Sequence, residues 1–492
     1  MAWDIWEEPW IPVENPQGIR ETVNLRDFFR HAADYTRFNG VTVFEEVGMR
    51  RFFSTFLMAA LRPRNEQDIR LLFLKGHLPM DEIEDYIRFC IEDGVSFDIF
   101  DTERPFLQAP FSLKYDEGKE KSVAELNPLW PSGDTVIHLN HQREQDAVMA
   151  PDEAFRYLLA VPAFGIASTA GAGLTRPFGI NGTPPLYWFV EGRNLFESLI
   201  LNMVPIPKDA GGEPEVWLSH TTIAPWVLKG SKKKDNHITE TSFLYGLLFP
   251  CRRITLTRDT DGMVRTIYYQ QGLNYKGTDW VDPYVGYICR KGVKSTLKPR
   301  IGTPIYQAVQ AMCSPDGTLP GVWQQYMSVC SKRTLRIRYL GAVKDSNKAK
   351  YLDITAGTIP IPKEDWRRAF WLQQLERIEA VGFELKSSIK ILFGMSAVWK
   401  AGTMELETTA QLFQERAYDL LYHITAQTTP GSVDTGAANQ TVWDGLQALS
   451  RGLLRDLIEA RCVSAGECMQ AAQAEKFLNI RLQKRWDTYE KG

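Results

Sequence analysis

Four long helical patterns follow one another over the last 130 residues of this 492-residue chain, and no other feature limits the possible fold as tightly. They run from Lys363 to Lys400, Met404 to Gln427, Ala438 to Arg461 and Gly466 to Tyr489. The connections are short and contain Gly, Ser, Thr and Pro. Amphipathic helices of similar length joined by short connections become antiparallel neighbours, so an up-down four-helix bundle is expected over residues 363–492. Its boundary with the preceding chain falls at Ile361-Pro362.

Residues 1–362 mix both periodicities. A strand at Trp10 to Val13, the turn Asn15-Pro16-Gln17-Gly18 and a second strand to Val23 form a hairpin, and Asn24 then caps a helix carrying Phe28 and Phe29. Apolar residues recur at three and four from Val43 to Leu61, where Pro63 stops the helix, and again from Met80 to Ile91. Residues 126–141 and 164–185 are long punctuated loops, the second holding five glycines and three prolines around Arg176. Loops of this length in a compact domain are functional or disordered, and their Trp, Phe and Leu content favours function. Arg252 to Arg258 and Met263 to Gln270 alternate around the turn Asp259-Thr260-Asp261-Gly262. A strand from Thr334 to Val343 leads into the loop KDSNKAK at 344–350. The expected class is α+β: a large mixed N-terminal domain over 1–362 followed by the bundle.

Charge is segregated along this frame. Residues 1–200 carry 19 Lys+Arg against 31 Asp+Glu, residues 201–360 carry 22 against 12, and residues 361–492 carry 16 against 17. The net values are −12, +10 and −1, within a total of −3. A basic segment interleaved with Tyr, Trp and Asn suits a polyanion, because each phosphate neutralised releases condensed counterions. The competing reading is a solvated face that balances an acidic neighbour.

Several chemistries find no support. GxSxG and HExxH are absent, and Gly171-Ala172-Gly173 is not followed by the Gly-Lys-Ser/Thr of a nucleotide-binding loop. The carboxylate runs Asp81-Glu82-Glu84-Asp85 and Asp116-Glu117 read as an exposed helix face and a polar loop. Seven cysteines without a CxxC pair suggest reduced thiols. His138 and His141 have metal-ligand spacing but no third ligand nearby, so neither metal nor cofactor is expected. The N-terminal MAWDIWEEPWIPV is unlike a secretory signal, and the stretch around Phe52 to Leu61 is too short to span a bilayer, which predicts a cytoplasmic protein without membrane contact.

Several short motifs occur in one order: PWIPV at 9–13, RPFLQ at 104–108, VIHLNHQ at 136–142, NGTPP at 181–185, then the helical run. Together they resemble the CasA family, the large subunit of the type I-E CRISPR surveillance complex Cascade, over essentially the whole chain. The resemblance implies a non-catalytic subunit that holds the 5′ handle of the CRISPR guide RNA and reads a short protospacer-adjacent motif in double-stranded target DNA. It further implies that the subunit starts strand separation, joins other Cascade subunits and recruits a helicase-nuclease. Minor-groove reading carries little base information, so motif recognition of that kind is promiscuous and guide pairing supplies the specificity.

Carried over by position, the handle-contacting loop corresponds to His138, Leu139 and Asn140, with His138 where an aromatic is found in the family. The glycine loop along the motif corresponds to Ala170, Gly171, Ala172 and Gly173, and the lysine finger to Lys276 within LNYKG. The wedge that pries the duplex open corresponds to Asn347, Lys348 and Ala349, Lys348 standing where well-known members carry glutamine. The cysteine cluster that some relatives carry before the lysine finger is missing. Basic bundle positions Arg367, Arg368, Arg451, Arg455, Arg481, Lys484 and Arg485 would face a displaced strand. The other functional class is a stand-alone metal-dependent nucleic-acid-processing enzyme whose carboxylates meet only in the fold.

Overall fold

The computed structural model describes residues 2–130, 147–169, 175–207, 215–218, 236–301, 303, 305–329, 334–345, 350–394, 403–461 and 464–490. The fold is α+β, and the chain divides into two compact units. One takes residues 1–303, 311–331 and 337–358, the other residues 304–310, 332–336 and 359–492. Strand Tyr351–Pro362 runs through the position expected for the boundary, and two short upstream segments join the helical unit. Periodicity carries no trace of such long-range association.

In the first unit, Ile11–Glu14 pairs antiparallel with Arg20–Val23, Ile11 lying opposite Val23. The turn follows from its residues. Gly18 takes φ 78°, and the Asn15 side-chain oxygen accepts from the N–H groups of Gln17 and Ile19 at 3.0 and 2.9 Å. Asn24 caps helix Leu25–Arg30 by accepting from the Asp27 N–H at 2.7 Å.

Helix Val43–Leu61 begins with a capping box between Thr42 and Glu45 and ends at Arg62, which is left-handed at φ 46° ahead of Pro63. Its surroundings differ from those of a one-sided amphipathic helix, because every residue from Val43 to Ala59 is buried. The charged side chains survive there because each is paired. Glu45 accepts from Arg156 at 2.8 Å, Glu46 from Arg50 at 2.9 Å and Arg338 at 2.8 Å, and Asp282 from Arg51 at 2.6 Å. Gly48 allows helix Pro151–Phe164 to cross closely, since a Cβ at this position would lie 2.6 Å from the Leu159 carbonyl carbon. Around the crossing, the Trp10 ring packs 4.8 Å from Phe155 and 5.6 Å from Phe53.

Strands Arg252–Leu256 and Thr266–Gln271 pair antiparallel with Leu256 opposite Ile267, and Glu120–Ser122 adds a third strand. The loop between them is longer than expected, because Arg265 draws Asp259 and Asp261 together at 2.7 Å each. Gln108 of RPFLQ is buried and stitches this sheet, accepting from the Leu256 N–H at 2.7 Å and donating to the Ile99 carbonyl at 2.8 Å.

Asp116 corrects the reading of its carboxylate run as a polar loop. It is fully buried, and Arg253 grips both its oxygens at 2.6 and 2.8 Å. The partners are 137 positions apart, so local polarity gave no sign of the pair.

In the second unit the four long helices are Asp365–Leu392, Thr403–Gln427, Ala437–Arg461 and Ala465–Glu490, with a short helix Pro430–Asp434 in the second connection. The first helix has a buried stripe that includes Phe370, Trp371, Ile378, Val381, Leu385 and Ile389. It ends at Leu392 ahead of Gly394, φ 57°, and 395–402 lie outside the described residues. Not all of the bundle's basic positions are available to a strand of DNA. Arg367 is buried and donates to the Thr428 carbonyl at 2.9 Å, while Arg481 and Arg485 both hold the buried Glu384 at 3.1 and 2.9 Å. Arg455 and Lys484 are exposed. Among the described residues, no helix is long and apolar enough to cross a membrane.

Candidate nucleic-acid interface

Helix Pro151–Phe164 starts with proline at its first turn, where no N–H is needed, and ends with carbonyls that lack helical partners. Other elements satisfy them. The last helical bond runs from the Gly165 N–H to the Val161 carbonyl at 2.8 Å; beyond it, Ala163 accepts from the Tyr187 hydroxyl at 3.0 Å and Phe164 from the Tyr351 hydroxyl at 2.7 Å.

From this helix end the chain enters a small hairpin in which Ser168–Thr169 pairs antiparallel with Thr175–Arg176. Ala170, Gly171, Ala172 and Gly173 lie between the two strands in sequence and outside the described residues. The feet of the hairpin are tightly fixed. Gly179 N–H donates to the Gly165 carbonyl at 3.0 Å, and a Cβ on Gly179 would sit 2.4 Å from the Pro162 oxygen. Arg252 donates to the Ile166 carbonyl at 2.6 Å and the Pro177 carbonyl at 2.5 Å, one on each side of the hairpin. Asn181 of NGTPP donates to Asp282 at 2.7 Å.

Arg252 lies opposite Gln271, and the chain leaving Gln271 runs to Lys276. Each step is held by the backbone: Leu273 N–H donates to Pro250 at 2.9 Å, Asn274 to Asn236 at 2.8 Å and Lys276 to Ile238 at 2.8 Å. Strand Asn274–Tyr275 pairs in parallel with His237–Ile238. Gly277 packs so closely that a Cβ would lie 2.1 Å from the Thr239 oxygen. Trp280 caps the turn, its N–H donating to the Tyr275 hydroxyl at 3.1 Å and its indole N–H to the Phe243 carbonyl at 3.1 Å. The fixed backbone presents an exposed Lys276 side chain, which among the described residues pairs with no carboxylate.

Strands Thr334–Lys344 and Tyr351–Pro362 are neighbours in a sheet whose third strand is Tyr187–Glu191. Asp345 N–H donates to the Lys350 carbonyl at 2.9 Å, closing the connection between them. Asn347, Lys348 and Ala349 lie within that connection and outside the described residues, as do His138, Leu139 and Asn140 in 131–146.

The basic segment therefore has two parts. Arg252 and Arg253 are buried, Arg265 is paired with acids, and Arg338 holds Glu46, so these cations build the fold. Lys276, Arg290, Lys291, Lys294, Lys298 and Arg300 are exposed. Fixed turns and exposed cations can grip a polyanion, and no group of three His, Cys, Asp or Glu among the described residues could hold a metal ion.

Sequence reasoning missed Arg252 and Tyr351. RPFLQ and NGTPP were the only hints, since Gln108 supports the strand of Arg252, and Asn181 fixes the return of the hairpin.

Residues 4–483 match the family model of CRISPR-associated protein Cse1. A curated relative, CRISPR-associated protein CasA/Cse1 of Thermus thermophilus, is 27% identical over 374 residues, which is 72% of this chain and 70% of the relative. Cse1 of Acidimicrobium ferrooxidans shares the fold at a TM-score of 0.71 and 18% identity, covering 98% of each chain. A chain in a structure described as a CRISPR RNA-guided surveillance complex gives 0.64 at 18% identity, covering 97% of this chain and 99% of that one. With nearly its whole length matched, and its fold shared with solved Cse1 proteins, the chain belongs to the CRISPR-associated protein Cse1 family.

Proposed function

We propose that this chain is the non-catalytic large subunit of a type I-E RNA-guided surveillance complex in the cytoplasm. Through residues 138–140 it holds the guide RNA handle. Through Ala170, Gly171, Ala172, Gly173 and Lys276 it reads a short motif in duplex DNA, and through Asn347, Lys348 and Ala349 it begins strand separation. A helicase-nuclease is then recruited to the opened target. The observation that carries this reading is the exposed Lys276, held on a fixed backbone that continues from the strand paired with Arg252, the residue that clamps both feet of the glycine hairpin. A lysine carried on a fixed backbone suits a minor groove, where width and phosphate charge offer more than base edges do.

Co-expression with its neighbouring genes is expected to yield a large ribonucleoprotein containing a short guide RNA. The purified chain, incubated with duplex DNA and Mg²⁺ or Mn²⁺, is expected to leave the DNA intact. A free, metal-dependent nuclease activity that is lost on changing one carboxylate would assign it to nucleic-acid processing instead.

In the assembled complex, Lys276→Ala is expected to weaken binding to motif-bearing duplex by about 1–3 kcal/mol if the ammonium reaches a base edge. Binding to a pre-opened bubble should change much less, because the lysine acts on closed duplex. Equal losses on both substrates in a gel-shift titration would reduce Lys276 to a general phosphate contact.

A further inference from the structure

The end of helix Pro151–Phe164 is a junction between two parts of the proposed site that are distant in sequence. On one side, the Tyr351 hydroxyl donates to the Phe164 carbonyl at 2.7 Å, and its ring packs 5.1 Å from Phe44 and 6.1 Å from Phe164. Tyr351 is the first residue after the 345–350 connection. Burial pushes its hydroxyl well above the usual phenol range, so the group remains a donor. On the other side, Ile166 lies two positions beyond Phe164, and its carbonyl accepts from Arg252, which also holds Pro177. The thiol of Cys251 meets the same helix end at the Val161 carbonyl, 3.5 Å away.

We infer that Tyr351 and Arg252 are positioning residues that couple motif reading by the 168–176 hairpin to duplex opening by the 345–350 connection, through the last turn of helix Pro151–Phe164. The inference rests on the proposed function. Both residues act from within the protein. Without the Tyr351 hydroxyl the Phe164 carbonyl loses this donor, and the base of one element is released from the foot of the other. Without the guanidinium fork of Arg252, one nitrogen must serve two carbonyls on opposite sides of the hairpin, which a lysine cannot do with the same geometry.

The experiment uses the assembled complex and linear duplex carrying a fluorescent base beside the motif. Tyr351→Phe is expected to slow opening about tenfold while leaving affinity for a pre-opened bubble unchanged. Arg252→Lys is expected to lower the ratio of motif-bearing to motif-free duplex affinity about tenfold, again without affecting the bubble. If the residues work through one junction, Arg252→Lys also slows opening, and in opening rate the double variant loses less than the product of the single losses. A purely structural role would lower bubble binding and thermal stability together, with the motif ratio unchanged, and that result would overturn the inference. Opening at the wild-type rate by Tyr351→Phe, which removes a single oxygen and so decides the matter even if Arg252→Lys folds poorly, would also overturn it. Parallel measurements on Lys276→Ala and on glycines at 347–349 separate the two levels. If these act specifically while Tyr351→Phe does not, only the coupling falls; if none acts specifically, the functional reading falls.

Discussion

Replacing Asn347-Lys348-Ala349 by three glycines is expected to leave initial motif binding nearly intact and to slow or abolish the opening of linear duplex. The segment lies between Asp345 and Lys350, whose backbone bond closes the connection of two paired strands. The glycines would therefore remove side chains between Asp345 and Lys350 while leaving the residues of that bond unchanged. Opening one duplex step costs about 1.4 kcal/mol of stacking, and inserted side chains elsewhere offset such a cost by contacts to the deformed DNA. Negative supercoiling or a mismatched bubble supplies the opening energy from outside and should restore most of the lost activity. Lys348→Gln should be tolerated, with a log–log salt slope shallower by about one unit if the lysine neutralises a phosphate. A glycine variant that opens linear duplex at the wild-type rate, followed by a fluorescent base near the motif, would place the wedge elsewhere.

How much of this protein could be read from its sequence depends on the range of the interactions involved. The bundle, the Asn15–Gly18 turn and the Asn24 cap were legible because each is specified within a few residues, by a 3.6-residue period, a positive φ or a side chain reaching its own helix. Helix Val43–Leu61 was legible as a helix but not in its environment. Its buried Glu46, Arg50 and Arg51 look like a solvated face until Arg338, Glu191 and Asp282 arrive from far along the chain.

The same limit applies to the charge map. A net +10 over 201–360 is a strong bias, yet the count cannot separate Arg252 and Arg253, which are buried, from Lys276, which is exposed. Of the proposed site, Lys276 is named by position from the resemblance alone, and its side chain is exposed on a backbone bonded to Ile238. Arg252 and Tyr351 carried no local signal, because both serve backbone carbonyls of distant segments.

The largest stability effect is expected at Asp282, where fold and site share a residue. It is fully buried, and its Oδ2 accepts from Arg51 at 2.6 Å and from Asn181 at 2.7 Å, while its Oδ1 accepts from the Tyr284 N–H at 3.0 Å. Arg51 is itself only 1% exposed, and its other donors reach the Leu247 carbonyl at 3.2 and 2.9 Å. Asp282→Ala would leave a guanidinium in the core without a counter-charge, a change that costs about 3–5 kcal/mol in comparable buried pairs. Arg51→Met combined with Asp282→Leu should recover part of the loss, because removing both charges ends the uncompensated burial even though Leu247 and Asn181 lose partners. Because the chain has two compact units, the measurement should follow a probe in the first unit, such as hydrogen exchange in helix Val43–Leu61, rather than a single melting temperature. A loss below about 1 kcal/mol for Asp282→Ala would mean that water or another acceptor reaches Arg51 in the core. If the expected loss is seen, the release of Asn181 should also loosen the return of the glycine hairpin, and motif discrimination should decline under conditions where the protein remains folded.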